Sequence, residues 1–214
     1  VTVTVANTVP TFTSAASIST STGSALGDVL TCSATGTDQD DGAITPTYAW
    51  STGTSGDTYT ISSSDVSVGD TITCTATLTD SLGLTATSTD SVTVDNTAPV
   101  LSNLVITPNS GVTNGDTLTC SVTVTDPDES LTPTYIWLLN GNQASTGSTL
   151  NLGLTLAMPT DVITCEADVI DGSFATDTAS TSVTLDNQVP VLSNVVITPS
   201  SSVTQHHIIK GRMP

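Results

Sequence analysis

Residues 115–137 read GDTLTCSVTVTDPDESLTPTYIW, and the alternation inside this stretch decides the fold class. Leu118, Cys120, Val122 and Val124 fall on one side of an extended chain, while Thr117, Thr119, Ser121, Thr123 and Thr125 fall on the other. A period of two marks a strand with one buried face. β-Branched Thr fits the exposed face of a pleated strand better than a helix. The same pattern returns around Ile72, Cys74, Ala76 and Leu78, around Ile163, Cys165, Ala167 and Val169, and in the closing strands 91–94 and 182–185. No stripe with the 3.6-residue helical period competes with it.

The deciding stretch occurs twice. Gly27-Asp28-Val29-Leu30-Thr31-Cys32 matches Gly115-Asp116-Thr117-Leu118-Thr119-Cys120, Thr47-Tyr48-Ala49-Trp50 matches Thr134-Tyr135-Ile136-Trp137, and Ile72-Thr73-Cys74 matches Ile163-Thr164-Cys165. Three copies of a joint frame the repeats: Asn7-Thr8-Val9-Pro10, Asn96-Thr97-Ala98-Pro99 and Asn187-Gln188-Val189-Pro190. The period is therefore about 90 residues, the size of a β-sandwich module. Asp41-Gly42, Gly69-Asp70, Asn140-Gly141-Asn142 and Asp171-Gly172 supply turn residues between the strands. This predicts an all-β chain with six to seven strands per repeat, one repeat over 7–95 and a second over 96–186. Residues 1–6 match the last strand of a preceding repeat, and 187–204 match the first strand of a further one. Residues 205–214, Gln-His-His-Ile-Ile-Lys-Gly-Arg-Met-Pro, break both the register and the composition.

The order Cys, Trp, Cys in each repeat is the most specific signal. An immunoglobulin-type core sets a Trp on its third strand against a disulfide joining two sheets, and Trp50 and Trp137 stand in that place. Four cysteines allow three connectivities. Pairing Cys32 with Cys74 and Cys120 with Cys165 keeps each bond within one repeat and on inward positions of facing strands; the alternative is two reduced, buried cysteines per repeat. A disulfide implies an oxidising compartment.

The Gly-Asp-Thr-Leu-Thr-Cys opening, Tyr-Ala-Trp or Tyr-Ile-Trp, the Val-Thr-Asp before an acidic loop and the Val-Asp-Asn-Thr-Ala-Pro-Val joint resemble the immunoglobulin-like, polycystic-kidney-disease-type and cadherin-like modules of bacterial surface and secreted proteins. The resemblance covers residues 7–204 and implies tandem immunoglobulin-like sandwiches in an extracellular or cell-surface array. Trp50-Ser51-Thr52-Gly53 and Trp137-Leu138-Leu139-Asn140 depart from the Trp-Asp-Phe-Gly-Asp-Gly of polycystic-kidney-disease-type modules.

Composition narrows the function. Lys and Arg total two against 20 Asp and Glu, a net charge of −18, which excludes nucleic acid and anionic membranes as partners. Both cationic side chains, Lys210 and Arg212, and both histidines, His206 and His207, lie in the tail. Without histidine in the repeats, a Ser-His-acid set cannot form, and no enzymatic activity is expected. No run of 18 apolar residues spans a membrane, and there is no N-glycosylation sequon. Outward Ser and Thr hydroxyls offer attachment points for O-glycans.

Carboxylates remain as candidate ligands. Asp126, Asp128 and Glu129 follow the Cys-bearing second strand of one repeat, and Asp38, Asp40 and Asp41 follow that of the other. In a sandwich this loop shares an end with the last hairpin, which carries Asp171 or Asp80, and with the incoming chain. Asp95, Asn96, Asp126, Asp128, Glu129 and Asp171 are thus expected to gather at the joint as oxygen ligands, and calcium takes six to eight such oxygens. The cadherin-like resemblance implies a calcium-stiffened joint; the alternative is that Asp and Asn only form turns. Function then reads as a structural repeat of a fibre or stalk, with neighbouring repeats or identical head-to-tail subunits as partners and strand exchange as one route to filaments. The rival is an adhesin repeat, which should expose an apolar or aromatic patch.

Overall fold

The buried side of each strand is the side that the alternation marks. In a computed structural model, which describes residues 3 and 6–193, Ile72, Cys74, Ala76 and Leu78 are all fully buried, as are Leu118 and Cys120. The first repeat contains β1 (Thr11–Thr20), β2 (Val29–Asp38), β3 (Gly42–Ile44), β4 (Thr47–Trp50), β5 (Thr58–Thr60), β6 (Thr71–Thr79) and β7 (Thr85–Thr93). The second contains β8 (Val100–Thr107), β9 (Thr117–Thr125), β10 (Thr134–Leu139), β11 (Asn142–Thr146), β12 (Thr149–Asn151), β13 (Val162–Ile170) and β14 (Thr176–Thr184), with a 3-10 turn at Leu152–Leu154. The fragments 1–6, 187–204 and the tail 205–214 lie wholly or largely outside the described residues; the described part of 187–204, residues 187–193, forms no strand.

Each repeat folds into two antiparallel sheets. In the first, β1-β2-β3 with β5 also against β2 faces β4-β6-β7; in the second, β8-β9-β12 faces β11-β10-β13-β14. Cys32 on β2 is bonded to Cys74 on β6, and Cys120 on β9 to Cys165 on β13, with both S–S lengths 2.05 Å. Each disulfide therefore ties one sheet to the other. Trp50 stands opposite Cys74 in the β4–β6 register and Trp137 opposite Cys165 in the β10–β13 register. Both indoles are buried, and each donates its N–H to a backbone carbonyl, Gly56 at 3.0 Å and Gly147 at 2.8 Å. This is the disulfide-and-tryptophan core of an immunoglobulin-like sandwich.

Core volume is redistributed between the copies. Leu78 lies so close to Gly36 that a Cβ there would come within 2.2 Å of it, while the corresponding positions of the second repeat hold Val124 and Val169. A small-large pair and a medium-medium pair fill the same space, as close packing requires.

The first strand of each repeat is secured partly by side chains. The pairing of β1 with β2 shifts register between Phe12 and Ser14 and between Ser14 and Ser17, and that of β8 with β9 between Ser102 and Val105. Both β1 and β8 are edge strands, so the N–H groups on their outer side have no ladder partner. The last strand meets them: Ile18 donates to Asp90 Oδ2 at 2.7 Å, Ala16 to Ser88 Oγ at 3.0 Å, and Leu101 to Asp177 Oδ2 at 2.7 Å. These bonds close one edge of the sandwich without an added ladder.

The disulfides close loops with sequence separations of 42 and 45. Replacing Cys120 and Cys165 together with Ala is expected to lower the unfolding free energy of the second repeat by about 4 kcal/mol. Urea denaturation followed by tryptophan fluorescence should show one transition moving to lower denaturant while the other stays in place.

A hydrogen-bonded joint as candidate functional site

The Asn-Thr at the start of each repeat acts as a latch. In the first repeat Asn7 Nδ2 donates to Asp80 Oδ2 at 2.8 Å, and both the N–H and the hydroxyl of Thr8 donate to Asp40 Oδ2 at 2.9 Å. In the second, Asn96 Nδ2 donates to Asp171 Oδ2 at 2.8 Å and the Thr97 N–H to Asp128 Oδ2 at 2.5 Å. The incoming chain is thereby tied to two loops of its own repeat, the one after the Cys-bearing second strand and the last hairpin.

Those loops are themselves built around carboxylates. Asp38 Oδ1 accepts from the N–H groups of Asp40 and Asp41, as Asp126 Oδ1 does from Asp128 and Glu129. Asp80 Oδ1 accepts from Leu82 and Leu84, as Asp171 Oδ1 does from Ser173 and Ala175. This is the Asx-turn chemistry that makes Asp a turn residue. A cross-link joins the two loops: Asp41 accepts from the N–H and hydroxyl of Ser81, and Glu129 Oε1 from the N–H of Gly172 at 2.6 Å. Asp38, Asp80 and Asp171 are buried in the process.

The expected ligand set at the joint divides. Asp126, Asp128, Glu129, Asn96 and Asp171 do meet at one end of the second repeat, and Asp38, Asp40, Asp41 and Asp80 at the same end of the first. Asp95 does not join them: its Oδ2 accepts from the Ser24 hydroxyl at 2.6 Å and its N–H donates to the Ser24 carbonyl at 3.0 Å, so it caps the first repeat. Among the described residues no three acidic, His or Cys side chains are grouped to hold a metal ion, and most of these oxygens accept from N–H donors. Two oxygens are left over. Asp126 Oδ2 and Asp128 Oδ1 are buried without a hydrogen-bond partner, an arrangement that costs free energy for an ionised carboxylate.

The two repeats meet here. A cleft of about 300 Å³ is walled by Leu26, Ser63 and Val66 of the first repeat and by Asn96, Asp128 and Gly172 of the second. An adjoining cleft of about 720 Å³ runs between Ser63 and the segment from Asp126 to Leu131. Sequence reasoning located the acidic loops but could not see the donors that occupy them. It also missed a set of exposed apolar side chains in the loops of the second repeat, Leu154, Leu156, Met158 and Phe174, since strand alternation says nothing about loop residues.

No family model matches this sequence, and no curated protein sequence does. Solved structures similar to the chain include the three N-terminal domains of the highly immunogenic outer capsid protein of bacteriophage RB49, at 17% identity over 82% of this chain and 59% of that one, with a TM-score of 0.31. Others are the fibronectin(III)-like modules of Clostridium thermocellum CbhA, at 14% identity over 89% of this chain and 100% of that one with a TM-score of 0.32, and a Ca2+-stabilized ice-binding adhesin of an Antarctic bacterium, at 16% identity over 85% and 49% with a TM-score of 0.29. The immunoglobulin-like fold stands on the strand order, the inter-sheet disulfides and the tryptophans of this chain.

The latch is expected to respond to pH. The Asn96 amide, joined by the N–H groups of Ala175 and Ser173, holds Asp171 below the ordinary carboxylate range against the opposing effect of burial. At Asp80 burial pushes upward, but the Asn7 amide and the N–H groups of Leu84, Leu82 and Gly83 together outweigh it and the net shift is downward. A carboxyl with a lowered folded-state pKa stabilises the fold above its unfolded value, about 3.9, and loses that contribution as pH falls through the lower folded value. Melting temperature is therefore expected to fall below about pH 4, and Asp80→Asn and Asp171→Asn should each lower it at pH 7 while flattening its decline in acid.

Proposed function

We propose that this chain is a structural segment of an extracellular stalk or fibre, two immunoglobulin-like modules in series whose task is to hold a spacing, with no enzymatic role. The observation that carries this reading is the latch repeated at the start of each repeat. Asn-Thr to Asp bonds fix the angle at which the chain enters each module, and a module array with fixed entry angles transmits force and orientation. The outward strand faces are mostly Ser and Thr, with no basic side chain among the described residues, which suits a hydrated surface exposed to solvent along its length. The disulfides fit an oxidising, extracellular setting.

Calcium stiffening of the joint is a second part of this reading, supported by the two buried, partnerless oxygens of Asp126 and Asp128. The donors nearby are hard oxygens of the kind calcium prefers. Asp126 Oδ2 and Asp128 Oδ1 would be the first protein oxygens to meet the ion, and Glu129 is already bonded to the Gly172 N–H. Asp95 and Asp171 are committed to Ser24 and Asn96. When bound, the ion supplies positive charge to a joint that has none.

Millimolar calcium is expected to raise the melting temperature by a few degrees through preferential binding to the folded state and to narrow the intraparticle distance distribution in small-angle scattering. Asp126→Asn with Asp128→Asn should abolish both responses. Identical melting and scattering in calcium and in chelator would remove calcium from the reading. Scattering that requires freely jointed modules under every condition would overturn the stalk itself.

A further inference from the structure

A carboxylate joins the first strand of each repeat to the last. In the first repeat Asp90 Oδ2 accepts from the Ile18 N–H at 2.7 Å and Asp90 Oδ1 from the Ser91 N–H at 2.9 Å. In the second, Asp177 Oδ2 accepts from the Leu101 N–H at 2.7 Å and Asp177 Oδ1 from the Thr178 N–H at 2.9 Å. One oxygen is held by the last strand itself, and the other reaches the first strand, where it stands in for the carbonyl of a missing neighbour. The two staples lie at different heights. Ile18 pairs with Cys32, at the level of the disulfide, whereas Leu101 pairs with Val124 near the far end of β9. Asp90 stands opposite Cys74, where the second repeat has Thr181 opposite Cys165. The same chemistry therefore occurs at two positions that are not copies of each other.

Both Asp residues fall on the inward, half-buried phase of their strands, in line with Val92 and with Val183. Asp is disfavoured in strands, and an acid turned inward loses hydration. The geometry around them shows what they oppose. Ala16 meets Ser88 and Ile18 meets Asp90, each strand advancing by two, so β1 and β7 run parallel. Tension along the chain pulls on the start of β1, through residues 7–10, and on the end of β7, through residues 94–96. Parallel strands drawn from opposite ends slide past each other. Bonds that lie across the sliding line are loaded together instead of one after another.

We propose that Asp90 and Asp177 are mechanical clamps, the side chains that resist separation of the first strand from the last when the two modules are stretched. This deepens the stalk reading and rests on it. A carboxylate suits the task because charge-assisted hydrogen bonds are stronger than neutral ones. Behind each clamp stands a covalent bond. Once the first strand slides, load passes through β2 to Cys32–Cys74, or through β9 to Cys120–Cys165, and the sequence separations of 42 and 45 that these bonds close stay locked. A module that yields therefore releases only about half of its chain.

Single-molecule pulling of the full chain between handle domains, at constant force, tests this, because forced unfolding reads the unfolding rate directly. Two extension steps are expected, and reductant should lengthen each by about 150 Å, the released loop at roughly 3.5 Å per residue. Cys120→Ala with Cys165→Ala lengthens one step without reductant and so marks the second repeat. Asp90→Ala should raise the unfolding rate of the first repeat at fixed force by at least about tenfold, and Asp177→Ala that of the second, the scale of one lost hydrogen bond to a charged group. Leu150→Ala truncates a buried side chain on β12, which pairs with β9 and with neither β8 nor β14. It should lower the melting temperature at least as much as Asp177→Ala yet change the rate under force by less. Unchanged rates in the Asp variants, or rates under force that follow the melting temperatures of all three variants, would overturn the clamp. Freely jointed modules in scattering would remove the stalk and still leave these rates to decide whether the two carboxylates bear load.

Discussion

Eighteen Asp and two Glu share this chain with two cationic side chains, both beyond residue 209, so among the described residues no Lys or Arg stands beside the carboxylates. Backbone N–H groups, the amides of Asn7 and Asn96 and nearby hydroxyls take that role instead. This explains where the acids sit: at turns that present several N–H groups at once, on the last strand beside the outward N–H groups of the first, and at the joint where an Asn can reach. Charge-assisted bonds of this kind are shorter and stronger than neutral ones, and distances of 2.5 to 2.8 Å recur at Asp128, Asp177, Asp90 and Asp171. Electrostatics in this molecule is a matter of aimed donors.

The core is mostly aliphatic, with Leu30, Ile61 and Ile72 in the first repeat and Leu118, Leu152 and Ile163 in the second. Aromatic residues are 3% of the chain, and each sandwich depends on one Trp set against one disulfide. A small domain with so few large side chains cannot bury enough apolar surface to offset its chain entropy by a wide margin. Constraining the unfolded state through a cross-link between the two sheets compensates, and the same bond fixes which strands face each other.

The joint connects stability with function. Because Asn96 and Thr97 are bonded to loops of the second repeat, while Asp95 is bonded to Ser24 of the first, consecutive residues of the linker are held by different modules. A linker gripped on both sides has little freedom left, unlike a polar tether of the same length. The two orphan oxygens of Asp126 and Asp128 are the place where this network is incomplete, and they are where an added cation would act.

Much of this was legible in the sequence. Alternation at Leu118 to Val124, the doubled Cys-Trp-Cys order and the recurring Asn-x-x-Pro joint determine two sandwiches and place the acidic loops at one end of each, because period and repeat are local properties of a chain. What only the tertiary structure decided is which donor each carboxylate meets: that Asp95 turns back to Ser24, that Asn96 crosses 75 positions to Asp171, and that Asp126 and Asp128 each keep an oxygen unpaired. Hydrogen bonds between residues distant in sequence depend on angles and reach of about an ångström, which no pattern of residue types encodes. The exposure of Leu154, Leu156 and Met158 belongs with these, since an apolar loop residue is indistinguishable from a core residue until the packing around it is known.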